Sequence, residues 1–138
     1  MSWLIDTNVA SELRRGSRAN PAVTAWADRA RHDPVYTSVL VIGELRRGVE
    51  LRRLHDPVAA AALEHWVRRL VESYADRILP VDQAVADRWA TLGVPDRLPT
   101  ADGLIAATAL VHDLTLVTRN VRDMARTGVW LLDPFAES

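Results

Sequence analysis

Short apolar runs alternate along this chain with longer stretches in which apolar residues recur at helical spacing. Trp3-Leu4-Ile5 is the first run, and it stops abruptly at Asp6. A helical pattern follows at once and extends to about Arg15, ending at Gly16. Asn20-Pro21 offers an N-cap followed by proline at the first helical position. The helix from there to about Arg31 turns Val23, Trp26, Ala27 and Ala30 inward. Val35-Tyr36-Thr37 reads as a second strand, and Ser38 as the cap of a helix over 39–54. Asp56-Pro57 opens another helix, roughly 57–76, with Ala59, Leu63, Trp66, Val67 and Leu70 on its inner face. A third strand covers 78–81, and Pro80 predicts that it lies at an edge. Asp82 caps a helix over 83–92, and a loop with two prolines fills 93–99. The stretch 100–111 is apolar nearly all round, the mark of a buried helix. Residues 114–118 and 129–132 are the fourth and fifth strands.

Strands that alternate with helices predict an α/β fold with a parallel sheet covered on both faces. Right-handed crossovers then bring the carboxyl ends of all the strands to one side. Ligands of open α/β sheets bind there, so acids at that edge matter. Asp6 follows the first strand, Asp102 sits in the first turn of the buried helix, and Asp123 follows the fourth strand. Taken singly, Asp6 and Asp102 read as helix caps and Asp123 as a surface acid. Glu44 is different. On the helix 39–54, Leu40, Leu51, Gly48, Val41, Leu45, Val49 and Ile42 form one wide apolar arc, opposite Arg46, Arg47, Glu50 and Arg53. Glu44 falls inside that arc, between Leu51 and Gly48, and is expected to be buried. A buried carboxylate is costly unless it is protonated, paired or bound to a metal.

Composition narrows the classes. With 138 residues, 49% of them apolar and 25% charged, the chain is expected to form a single domain, 1–138, with a real core. Cysteine is absent, which excludes a disulfide scaffold and thiolate-bound metal. Asp6 and Glu12 break the first apolar run too early for a signal peptide, and no segment reaches membrane-spanning length. A cytoplasmic protein is expected. The net charge of −1 argues against a wholly basic nucleic-acid binder, but not against a basic patch. All 17 basic residues are Arg, whose guanidinium pairs bidentately with carboxylate and phosphate. The pairs Arg14-Arg15, Arg46-Arg47, Arg52-Arg53 and Arg68-Arg69 read as solvated helix faces that could hold a nucleic-acid backbone if one lies beside the acids. The five Trp are assigned to packing. His32, His55, His65 and His112 show no ligand spacing, and there is no glycine-rich phosphate loop.

Four carboxylates meeting at one edge would repel one another and raise each other's pKa. A divalent cation resolves that conflict. Oxygen donors without Cys or clustered His suit Mg²⁺ or Mn²⁺, and Mg²⁺ takes few carboxylates and keeps several waters. Two ions roughly 4 Å apart could also be held, an arrangement that stabilises both attacking and leaving oxygens in phosphodiester cleavage.

The segments Leu4-Ile5-Asp6-Thr7-Asn8-Val9, Thr37-Ser38-Val39 with Gly43-Glu44-Leu45-Arg46-Arg47-Gly48, Asp102-Gly103-Leu104-Ile105-Ala106-Ala107-Thr108-Ala109, and Leu116-Val117-Thr118-Arg119-Asn120-Val121-Arg122-Asp123 resemble a PIN-domain ribonuclease. The likeness is greatest to VapC-type toxins of bacterial toxin–antitoxin pairs, and it runs from Trp3 to Phe135. Ile78-Leu79-Pro80-Val81-Asp82 and Leu132-Asp133-Pro134-Phe135 are similar to one subgroup of them. The resemblance implies a three-layer α/β/α fold around a parallel sheet of four or five short strands, and a homodimer. It implies Mg²⁺- or Mn²⁺-dependent cleavage of RNA to a 5′-phosphate and a 3′-hydroxyl. Asp6, Glu44 and Asp102 would be the metal-binding catalytic acids and Asp123 the fourth, with Thr7, Asn8, Ser38 and Asn120 as supporting polar residues. Its implied partners are an RNA substrate, a VapB-like antitoxin whose tail covers the acidic pocket, and operator DNA reached through that antitoxin. Two features depart from the pattern. Met124 stands where an aromatic residue usually follows the last acid, and the loop 93–99 is unusual.

Two other functions fit the same residues. A structure-specific DNase could use the same acids, because carboxylates do not read the 2′-hydroxyl. A subunit acting mainly in an antitoxin–operator repressor complex would not need the acids. A phosphoaspartate receiver-like domain is disfavoured, since receivers resemble one another in placing a Lys near the acidic pocket and this chain has none.

Overall fold

The computed structural model describes residues 1–136. Its strands are β1 (Trp3–Ile5), β2 (Val35–Ser38), β3 (Ile78–Leu79), β4 (Thr115–Val117) and β5 (Leu131–Leu132). Its helices are α1 (Thr7–Leu13), α2 (Pro21–Arg29), α3 (Val39–Arg53), α4 (Pro57–Tyr74), α5 (Gln83–Trp89), α6 (Thr100–Val111) and α7 (Val121–Met124). Every strand pairing is parallel, in the order β3-β2-β1-β4-β5. Right-handed crossovers put α1–α4 on one face. The path then reverses from the β3 edge to β4, and α5–α7 cover the other face. β3 is an edge strand, as Pro80 requires, and it ends before that proline.

The predicted caps hold most of these helices. The side chains of Asn20, Ser38, Asp56 and Asp82 accept hydrogen bonds from the amides of Ala22, Leu40, Ala59 and Val85 at 2.9–3.0 Å. Leu4, Ile5, Leu116 and Val117 of the two central strands are almost wholly buried, among Val9, Val23, Val41, Val67, Ile105 and Met124. Trp3 meets Trp26 edge to face at 5.7 Å between ring centroids, so these two tryptophans serve the core.

Several boundaries are tighter than the pattern predicts. α1 ends at Leu13 and a 3-10 turn covers Gly16–Arg18; α2 ends at Arg29, α4 at Tyr74 and α5 at Trp89. β4 and β5 are shorter than 114–118 and 129–132 because their flanks pair only at single positions. On α4 the most deeply buried alanine is Ala60, with the predicted Ala59 half-buried. The short α7, around Asp123, was not expected as a helix.

Candidate active site

Connections leave β1 toward β2 on one side, while β4 lies on its other side. The strand order therefore reverses between β1 and β4, and a crevice opens at their carboxyl ends. Asp6 stands at that point, 4% exposed. Its amide donates to Val117 O at 3.0 Å, which carries the β1–β4 ladder one residue further. Its side chain caps α1: Oδ1 accepts from the Thr7 amide at 2.8 Å. Oδ2 accepts from Thr118 Oγ1 at 2.7 Å.

Thr118 is the hub of this arrangement. Its buried hydroxyl accepts from Asn8 Nδ2 at 3.3 Å and from the Asn120 amide at 3.0 Å. A hydroxyl has one proton and two lone pairs. With both lone pairs taken by N–H donors, the proton goes to Asp6. The Asp6 carboxylate has about four acceptor positions, and the two protein donors leave the others unused. Asn8 Oδ1 also accepts from the Arg119 amide at 3.1 Å, so one side chain clasps the end of β4 from both sides. On the other side of β1, Thr37 Oγ1 donates to Ile5 O at 3.2 Å.

Glu44 corrects the helical-wheel expectation. It is exposed, and Leu51 in the same arc is 57% exposed. The core buries Val41, Ile42, Leu45 and Val49 from α3, with Leu40 half-buried against it, a narrower stripe than the apolar residues span. Leu51 lies in the last turn of α3. Glu44 Oε1 accepts a 2.5 Å hydrogen bond from Thr7 Oγ1. The residue after Asp6 thus carries a second acid to the same edge.

Asp102 lies half-buried in the first turn of α6. Burial pushes its carboxyl above the usual Asp range, and the negative charges of Asp6, Glu44 and Asp123 push it further the same way. Asp6 at the β1–α1 junction, Glu44 on α3 and Asp123 on α7 are therefore near enough to Asp102 on α6 for their charges to act on its carboxyl. Asp123 is exposed on α7. Gly103 lets α6 approach α5, since a Cβ there would lie 3.0 Å from the Trp89 ring. Among the supporting residues, Thr7 and Asn8 bond directly into the network. Ser38 is wholly buried and acts as the α3 cap, and Asn120 contributes its backbone amide rather than a side-chain cap.

Among the described residues no three Asp, Glu or His side chains are close enough to form a finished metal cage. The donor set still fits a hard cation. It is all oxygen, it is mutually repulsive at Asp102, and Asp6 keeps unused acceptor positions. Mg²⁺ needs only one or two direct carboxylates, with waters completing its shell. A groove of about 940 Å³ lies between α3 and α4, lined by Arg46, Arg47, Leu51, Leu54 and Val67 among others. None of the four acids lines it, so it is not the reaction site.

Sequence reasoning singled out neither Thr118 nor Arg119. Only the pairing of β1 with β4 puts Thr118 against Asp6, 112 residues away. The available signal was Thr118's place directly after a buried strand and before Asn120.

Comparison with known proteins gives a match to the PIN domain over residues 3–129. Toxin FitB of Neisseria gonorrhoeae is 35% identical over 137 residues, covering 96% of this chain and 97% of its own. Ribonuclease VapC4 of Mycobacterium tuberculosis is 37% identical over 121 residues, covering 77% of this chain and 87% of its own. A solved structure of FitAB bound to an IR36 DNA fragment aligns with a TM-score of 0.86 at 32% identity, covering 99% of this chain and 97% of that one.

Proposed function

The chain belongs to the PIN-domain family, and from that premise we propose that it is a metal-dependent endoribonuclease, the toxin of a toxin–antitoxin pair. The observation that carries the reading is the bonded network at the end of β1, where Thr118 and the Thr7 amide hold both oxygens of Asp6 and the Thr7 hydroxyl holds Glu44, with the raised Asp102 carboxyl in keeping with acids gathered there. Asp6, Glu44 and Asp102 would hold Mg²⁺ or Mn²⁺, directly or through water, and Asp123 would orient the attacking water or help hold a second ion. When bound, the cation neutralises charge on the scissile phosphate and lowers the pKa of water. The chain's own part is positioning. Thr118 and the Thr7 amide fix both oxygens of Asp6, and the Thr7 hydroxyl turns Glu44 toward the crevice. The N-terminal turn of α6 favours an anion at Asp102.

A VapB-like antitoxin is the proposed partner, in keeping with the FitAB–DNA assembly of a relative, and operator DNA is reached through it. Exposed Leu51, Leu54 and Val58 on α3 and the start of α4 offer that partner an apolar surface, and an Arg in its tail would complement the acids. The toxin itself is proposed to be a homodimer. Among the described residues no helix is long and apolar enough to cross a membrane.

The test is cleavage of total RNA, transfer RNA, and single- and double-stranded DNA with Mg²⁺ or Mn²⁺ against EDTA. RNA cleavage by the wild-type protein, lost with EDTA and reduced by about 10²-fold or more in Asp6→Asn, is expected, the scale of removing a fixed electrostatic group from a site. Equal cleavage by the variant would refute the mechanism, and cleavage of DNA alone would make the protein a DNase.

A further inference from the structure

A cluster of four acids repels the polyanion it is meant to cut, so a nuclease built on it needs a fixed cation beside the crevice. Arg119 is placed for that task. Its amide is clasped by Asn8, and Asn8 bonds to the same Thr118 hydroxyl that reaches Asp6. The guanidinium therefore starts one residue from the hub. It lies over the Phe135 ring, its central carbon 3.7 Å from the centroid, the shortest such contact among the described residues. Phe135 is itself half-buried against the core, so it is a fixed platform.

The guanidinium is also not consumed by any described acid of the chain. Among the described residues Arg119 enters no ion pair. An exposed Arg that enters no ion pair among the described residues and lies over an aromatic ring keeps its N–H donors for another anion. Stacking pre-organises those donors, and a phosphate oxygen pair matches them.

We propose that Arg119, held on Phe135, is a substrate-binding residue that takes a backbone phosphate of the RNA strand next to the scissile one. It binds and positions the strand and takes no part in bond breaking. The inference rests on the nuclease reading above for its substrate, so its test separates the two. Binding of a mixed-sequence single-stranded RNA of about 20 nucleotides is measured in EDTA across a salt series. The protein is Asp102→Asn, which removes cleavage from the measurement, with and without Arg119→Gln or Arg119→Lys.

Arg119→Gln is expected to weaken binding about tenfold at low salt, the size of one charge-assisted contact. The slope of log affinity against log salt should fall by about 0.7, the single-strand value for one phosphate. Arg119→Lys should keep most of the slope and lose part of the affinity, because it keeps the charge and loses the stacked fork. In the cleaving protein Arg119→Gln should raise KM and leave kcat within about twofold, the pattern of lost uniform binding. Unchanged affinity and slope in Arg119→Gln would overturn the proposal, as would a fall confined to kcat. Absence of RNA cleavage by the wild-type protein with Mg²⁺ or Mn²⁺ would count against the nuclease reading alone, since the binding series reads Arg119 without it.

Discussion

Asp102→Asn is expected to abolish RNA cleavage and, in the absence of metal, to leave the fold as stable as the wild type or more so. Few substitutions separate function from stability this cleanly, and the reason is electrostatic. In the folded chain burial and three neighbouring acids hold the Asp102 carboxyl above its ordinary range. The folded state therefore binds the proton more tightly than the unfolded state does. Stability then falls as pH rises through the window from the ordinary Asp value, about 3.9, to the raised one, and stays lower above it. Asn has the same shape without the charge. Its advantage in EDTA should be present near neutral pH and vanish at about pH 3.5, where the unfolded carboxyl is largely protonated too. The α6 dipole, which favours the anion, works against this gain, but the net direction at Asp102 is upward. Thermal melts at the two pH values check the stability, and the cleavage assay checks a loss of about 10³-fold. A variant clearly less stable than the wild type in EDTA near neutral pH would contradict the repulsion argument.

Thr118→Val should have the largest effect of any change that touches none of the four acids. Valine fills the same space but strands three partners. The amides of Asn8 and Asn120 lose their acceptor, and Asp6 Oδ2 loses its donor, at a position with no solvent exposure. Leaving buried and part-buried polar groups without partners costs about 1–3 kcal/mol. Cleavage should fall by about 10–100-fold, as when a partner that orients a ligand is removed. Thr118→Ser keeps the hydroxyl and should recover most of both. Denaturant unfolding and kcat measured on the three proteins decide it. A valine variant that is destabilised but fully active would show that Thr118 supports the strand end and not the orientation of Asp6.

What could be read from sequence follows the range of each interaction. Local signals were legible. The caps at Asn20, Ser38, Asp56 and Asp82 depend on residues a few positions away, and the apolar α6 announced its burial. The parallel direction of the strands followed from alternation and crossover handedness, and their order did not. Glu44 shows where periodicity misleads. The apolar stripe on α3 is wider than the part the core covers, so an acid inside it can still reach solvent and the crevice. Thr118 and the Arg119–Phe135 stack were not legible, since each depends on residues brought together by the sheet or the C-terminal segment. The acids were picked out by residue type and by resemblance, and their mutual action at Asp102 emerges only once four separate elements are placed.

The central claim is that these acids hold a divalent cation. The most direct measurement is anomalous diffraction from crystals of the protein grown with Mn²⁺, collected on wild type and on Asp6→Asn. The account predicts an anomalous peak in the crevice at the carboxyl ends of β1 and β4, with Asp6 and Asp102 bound to it directly or through water, and its loss or marked weakening in the variant. A wild-type crevice without a peak at millimolar Mn²⁺, in a preparation that cleaves RNA, would contradict it.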